Sequence, residues 1–139
     1  MPIYRMNGDS LFVDTSAFLA LLDVEEKVHK RAREIWERLV EERVAAYTSD
    51  YVRIETWALV RRRLGVEAVW SFRELFLPLF QILSVGEQGF VDATDKWWLA
   101  RRRRLSLVDI TSFDLIRKHQ LHFVFAFDKH FQEEGFSVL

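Results

Sequence analysis

Two kinds of apolar run alternate along this chain, and their alternation sets the expected fold class. Short unbroken runs at residues 11–13, 44–48, 81–85 and 122–127 have the length of buried strands. Between them, residues 15–22, 24–43, 50–64, 66–76, 87–103 and 108–119 carry helical spacing. In the stretch 24–43, Val28, Ala32, Ile35 and Leu39 fall on one face of a 3.6-residue period. Glu26–Lys30 and Glu34–Arg38 add acid–base pairs in the order helices prefer. Tyr51, Ile54 and Ala58 share one face of the next helix, which Gly65 stops. Phe90, Ala93, Trp97 and Ala100 share a face of the helix at 87–103, and Pro78 follows the end of the one at 66–76. Residues 128–131 read as a turn and 136–139 as a short edge strand. Strands alternating with helices require right-handed crossovers and a parallel sheet covered on both faces. The expectation is a single α/β domain spanning 1–139, a three-layer α/β/α sandwich around a parallel sheet of four to five strands.

Composition narrows the chemistry. Half of the 139 residues are hydrophobic, with 12 Phe and 5 Trp, which is ample for one aromatic-rich core. Without Cys there is no disulfide, thiolate metal site or Cys nucleophile. No apolar run reaches the roughly 18–20 residues of a membrane span, and the N-terminal stretch lacks the apolar centre of a signal peptide. A soluble cytoplasmic protein with no membrane contact is expected. The net charge of −1 argues neither for nor against nucleic acid. The arginine runs at 61–63 and 101–104 are either solvated helix faces or nucleic-acid contacts.

Four acids occupy positions that a parallel sheet brings together. Asp14 and Asp128 each end an apolar run, Asp109 opens a helix, and Glu55 lies early in the helix after the second strand. Each has an ordinary reading: Asp14 as a helix N-cap, Asp128 as the start of a turn, Asp109 as a dipole-favoured acid and Glu55 as a solvated one. Strand ends and helix starts nonetheless share the carboxyl edge of such a sheet, where ligands bind. Four carboxylates in one cleft repel unless a cation joins them. An all-oxygen set selects hard ions such as Mg²⁺ or Mn²⁺, whose usual work is on phosphates.

With these acids placed, the chain resembles the PIN-domain ribonucleases, and among them the VapC toxins of prokaryotic toxin–antitoxin pairs. The resemblance is carried in order by Phe12-Val13-Asp14-Thr15-Ser16-Ala17-Phe18, by residues 48–56 around Glu55, by residues 105–113 around Asp109, and by Ala126-Phe127-Asp128-Lys129-His130-Phe131. It covers nearly the whole length. It implies a five-stranded parallel sheet, a homodimer, a cognate antitoxin, and Mg²⁺- or Mn²⁺-dependent RNA cleavage at Asp14, Glu55, Asp109 and Asp128. Thr15, Ser16 and Ser112 would match accessory hydroxyls that bind a metal-held water or the phosphate. Asp114 is a further acid whose role the pattern leaves open.

The mechanism expected is hydrolysis by a metal-activated water, because no paired general-base histidines are evident among His29, His119, His122 and His130. Arg53, Arg61, Arg62 and Lys129 are candidates for holding RNA phosphates, with Arg63 and the run at 101–104 in the same class. A phosphoacceptor domain would need an Asp after the third strand, where Ser84-Val85-Gly86 stands. The remaining rival is a non-catalytic RNA- or partner-binding domain with a vestigial acidic cleft. Trp36, Trp70, Phe72, Phe76 and Phe80 are either core residues or part of a face for a second copy or an antitoxin helix.

Overall fold

The computed structural model describes residues 9–101 and 105–139. The polar lead at 1–8 and Arg102 to Arg104 of the second arginine run lie outside the described residues. The elements run β1 (Ser10–Val13), α1 (Thr15–Leu22), α2 (His29–Glu41), β2 (Ala45–Ser49), α3 (Asp50–Leu64), α4 (Val66–Ser71), β3 (Gln81–Leu83), α5 (Gly86–Ala100), α6 (Leu107–Lys118), β4 (Phe123–Phe125) and α7 (Lys129–Glu133). The four strands form one parallel sheet in the order β3-β2-β1-β4. The expected edge strand at 136–139 contributes a single parallel bridge, Val124 to Val138, beside β4.

β1 is the central strand because both its faces are apolar and covered: Leu11, Phe12 and Val13 are fully buried. Its register sets Val13 against Phe125 of β4, so Asp14 and the residues leaving β4 emerge side by side. On its other flank, the Thr48 hydroxyl of β2 donates to the Val13 carbonyl at 2.8 Å. Ser49 then caps α3 by accepting from the Val52 amide. Gly65 ends α3 at φ 91°, a left-handed position that suits a residue without Cβ.

The helical face Ala32, Ile35 and Leu39 packs into the core, with Val28 against its edge. α2 begins only at His29, however. Residues 23–28 make turns, with the Asp23 carboxylate taking the Glu25 amide and the Asp23 carbonyl taking that of Glu26. The Leu77 amide reaches back five residues to the Phe72 carbonyl. This widened turn precedes Pro78, which cannot continue a regular helix. Phe72 and Phe80 stack edge-on against Phe18 in the core, and Trp36 lies across Phe76 and Phe80. Core packing therefore accounts for Trp36, Phe72, Phe76 and Phe80, while Trp70 points outward with Leu75 and Leu79. α5 departs furthest from its pattern: Ala93 is its only buried residue, and Phe90, Val91, Trp97, Trp98 and Leu99 are exposed.

Candidate metal centre

Asp14 leaves β1 as the N-cap of α1 and accepts the Ser16 amide at 3.1 Å. The Ser16 hydroxyl donates to the same oxygen, Oδ2, at 2.7 Å. That hydroxyl in turn accepts the Phe127 amide at 2.9 Å, which ties the end of β1 to the loop leaving β4. Asp128 follows directly, caps α7, and accepts the His130 amide at 2.9 Å. Asp109 sits in a capping box with Ser106 at the start of α6, each side chain accepting the other's amide. Glu55 comes from the second turn of α3. The ordinary reading and the functional one therefore coexist: Asp14, Asp109 and Asp128 all serve as helix-start acceptors while converging on one site.

Their convergence is visible in their electrostatics. The Asp14 carboxyl is pushed up to about 7, by burial above all and then by the charges of Asp109 and Glu55, against the lowering pull of the Ser16 hydroxyl and amide. Burial likewise raises Glu55; the Thr15 hydroxyl opposes this, and the charges of Asp109 and Asp128 reinforce it. Asp109 is raised by burial and then by Asp128, with the Ser106 amide and His130 pulling the other way. Among the described residues, the ligand atoms that gather within 4.8 Å of one another are those of Asp109, Asp128 and His130, a set that a divalent cation fits, while Asp14 and Glu55 reach this group through their charge. Such a cation supplies the missing positive charge.

The hydroxyls divide into two groups. Ser16 is committed to Asp14 and Phe127, and Thr15 to the Thr56 hydroxyl at 2.9 Å in a buried pair. Ser112, one helical turn after Asp109, is fully buried, and its hydroxyl has no hydrogen-bond partner among the described residues. Asp114 turns away from the group, its carboxylate held by Lys96 of α5 at 2.6 Å. Arg53, Arg61 and Arg62 are exposed along α3, the last two in its final turn, while Lys129 adjoins Asp128.

Two residues at the site escaped the sequence reading. Sequence alone gives His130 a place in the 126–131 stretch but no role of its own, yet its Nδ1 lies 3.0 Å from Asp128 Oδ1 and 3.3 Å from Asp109 Oδ2. Its place two residues after the strand-ending Asp128 was the available signal. Arg31, at the start of α2, lines a groove of about 310 Å³ with Val28, Phe127, Asp128, Lys129 and Gln132. Nothing in its local sequence distinguishes it from the other arginines of that helix.

The Ser16 bridge yields a direct expectation. Ser16→Ala removes a hydrogen bond to Asp14 and strands the Phe127 amide, so stability should fall by about 1–3 kcal/mol in urea unfolding. Unchanged stability would mean the bridge does not join the two strand ends.

The PIN domain family model matches residues 11–136. The 23S rRNA-specific endonuclease VapC20 of Mycobacterium tuberculosis, in strains CDC 1551 / Oshkosh and H37Rv, is 34% identical over 130 residues, covering 91% of this chain and 95% of the relative. The crystal structure of Mycobacterium tuberculosis VapC20, described as a sarcin-ricin loop cleaving toxin, superposes with a TM-score of 0.78 at 32% identity, covering 91% of this chain and 96% of that one. FitAcB from Neisseria gonorrhoeae shares the fold at 18% identity, with a TM-score of 0.67 over 93% of this chain and 96% of that one.

Proposed function

The chain belongs to the PIN-domain family, and from that premise we propose that it is a metal-dependent endoribonuclease and the toxin of a toxin–antitoxin pair. The observation that supports this reading is a chain of charge among four acids from separate elements, Asp109 and Glu55 acting on Asp14 and Asp128 acting on Glu55 and Asp109. The names of the VapC20 relatives support RNA as the substrate. A vestigial binding cleft would have no need to keep all four acids, three of them desolvated at a cost to the fold.

Asp14, Asp109 and Glu55 would hold a first Mg²⁺ or Mn²⁺, with Asp128 assisting that ion or a second one. A divalent cation there supplies neutralising charge for the phosphate and a water acidic enough to attack phosphorus. Ser16 fixes the Asp14 carboxylate, and Ser112 offers a hydroxyl still seeking a partner. Cleavage then leaves 5′-phosphate and 3′-hydroxyl ends. The test is incubation of the purified chain with total RNA and with a large-subunit rRNA fragment containing the sarcin-ricin loop. Discrete cuts are expected with Mn²⁺ or Mg²⁺ and none with EDTA. No cleavage of any RNA, or ends carrying a 2′,3′-cyclic phosphate, would overturn the assignment.

RNA phosphates beside the scissile bond would lie in the groove that Arg31 and Lys129 line together with Asp128. Arg31→Ala is expected to weaken RNA binding and to flatten the dependence of log affinity on log salt by about 0.7, the share of one phosphate contact on a single strand. An unchanged slope would remove Arg31 from the RNA path. Arg53, Arg61 and Arg62 would act further out. The outward Trp97, Trp98 and Leu99 of α5 and Trp70, Leu75 and Leu79 offer apolar surface for a second copy and an antitoxin helix. Light scattering should then report twice the 16.6 kDa chain mass, and a monomer would contradict the homodimer. No helix among the described residues is long and apolar enough to cross a membrane.

A further inference from the structure

We propose that His130 is itself a metal ligand, and that its imidazole makes the Asp109–Asp128 corner of the site prefer a first-row transition ion such as Mn²⁺ over Mg²⁺. This inference rests on the metal-dependent reading above and adds a nitrogen donor to an otherwise all-oxygen set.

The geometry is that of three potential ligands gathered at one corner of the site. Asp128 caps α7 and His130 lies in its first turn, so the two side chains are set by one local structure. Asp109 arrives from the start of α6. One ligand atom from each of the three lies within 4.8 Å of the others. The imidazole Nδ1 is 3.0 Å from Asp128 Oδ1 and 3.3 Å from Asp109 Oδ2, with only 14% of the side chain exposed. In an octahedral site with bonds of about 2.1 Å, neighbouring donors stand about 3 Å apart, which matches both separations.

The Nδ1 hydrogen, when present, makes one hydrogen bond to Asp109 Oδ2, and Asp128 Oδ1 already accepts the His130 amide. Replacing that hydrogen by a cation satisfies all three groups at once and screens the repulsion between Asp109 and Asp128. The nitrogen also bears on which ion is held. Mg²⁺ binds oxygen and gives up its waters reluctantly, whereas transition ions accept imidazole readily.

The test uses the full chain loaded with Mn²⁺, examined by pulsed electron paramagnetic resonance for coupling to ¹⁴N, alongside calorimetric titration with Mn²⁺ and with Mg²⁺. The native chain should show nitrogen coupling and His130→Gln should lack it, although His29, His119 and His122 remain. The variant should bind Mn²⁺ about 10- to 100-fold more weakly, with Mg²⁺ affinity changed by less than about threefold. Bound Mn²⁺ without nitrogen coupling in the native chain would overturn the proposal, as would equal losses for the two ions, which would assign His130 to orienting the carboxylates only. Failure of the native chain to bind either ion would overturn the metal-dependent function itself.

Discussion

Asp14→Asn is expected to abolish divalent-dependent RNA cleavage, with a loss of about a thousandfold, the equivalent of ~4 kcal/mol in the barrier. The carboxylate ends the central strand, lies within the field of Asp109 and Glu55, and is buried too deeply to be replaced by solvent. Asn is the informative substitution because it caps a helix about as well as Asp and keeps the acceptor for the Ser16 amide. A folded chain with an intact melting transition and no activity would isolate the charge as the missing element. Undiminished cleavage by this variant would place the chemistry elsewhere.

The second large effect concerns stability and needs no RNA. Asp14 has its folded pKa raised from 3.8 to about 7, and Glu55 and Asp109 are raised as well. A carboxyl with a raised folded pKa favours the folded chain while protonated. Its contribution is complete below about pH 4 and is lost as pH climbs through 7. In metal-free protein these acids should remove a few kcal/mol between pH 4 and pH 8. Added Mn²⁺ or Mg²⁺ should therefore raise the melting temperature more at pH 8 than at pH 5. Thermal unfolding with and without EDTA across that range measures both trends, and Asp14→Asn should flatten the metal-free curve. A metal-induced shift that is the same at pH 5 and pH 8 would contradict the ionisation of this cluster.

Much of this site was legible because its acids stand where secondary structure changes. Asp14 and Asp128 terminate apolar runs, and a parallel sheet sends such termini to one edge. α2 was legible for a related reason: Ala32, Ile35 and Leu39 show a helical period that only burial explains. α3 was less readable. Its apolar-looking face of Tyr51, Ile54 and Ala58 is not the buried one, since Ile54 is 66% exposed and the core takes Val52, Thr56 and Val60. Thr56 is hidden from any count of apolar residues, because its polarity is satisfied by Thr15 across the fold. α5 shows the opposite limit: its periodic Phe90 and Trp97 announce a face to be buried, and nothing in their spacing says that this chain's own core leaves them exposed.

The hydroxyl of Ser16 reaches an amide 111 residues further along the chain. During synthesis the first strand leaves the ribosome long before its neighbour β4 exists, and domains complete themselves only when such late partners arrive. Nascent chains stalled short of the last strand would carry Asp14, Glu55 and Asp109 without Asp128, His130 or the clasp that sets the first acid. Under the proposed function, RNA cleavage would thus be withheld until β4 and the loop after it have been made.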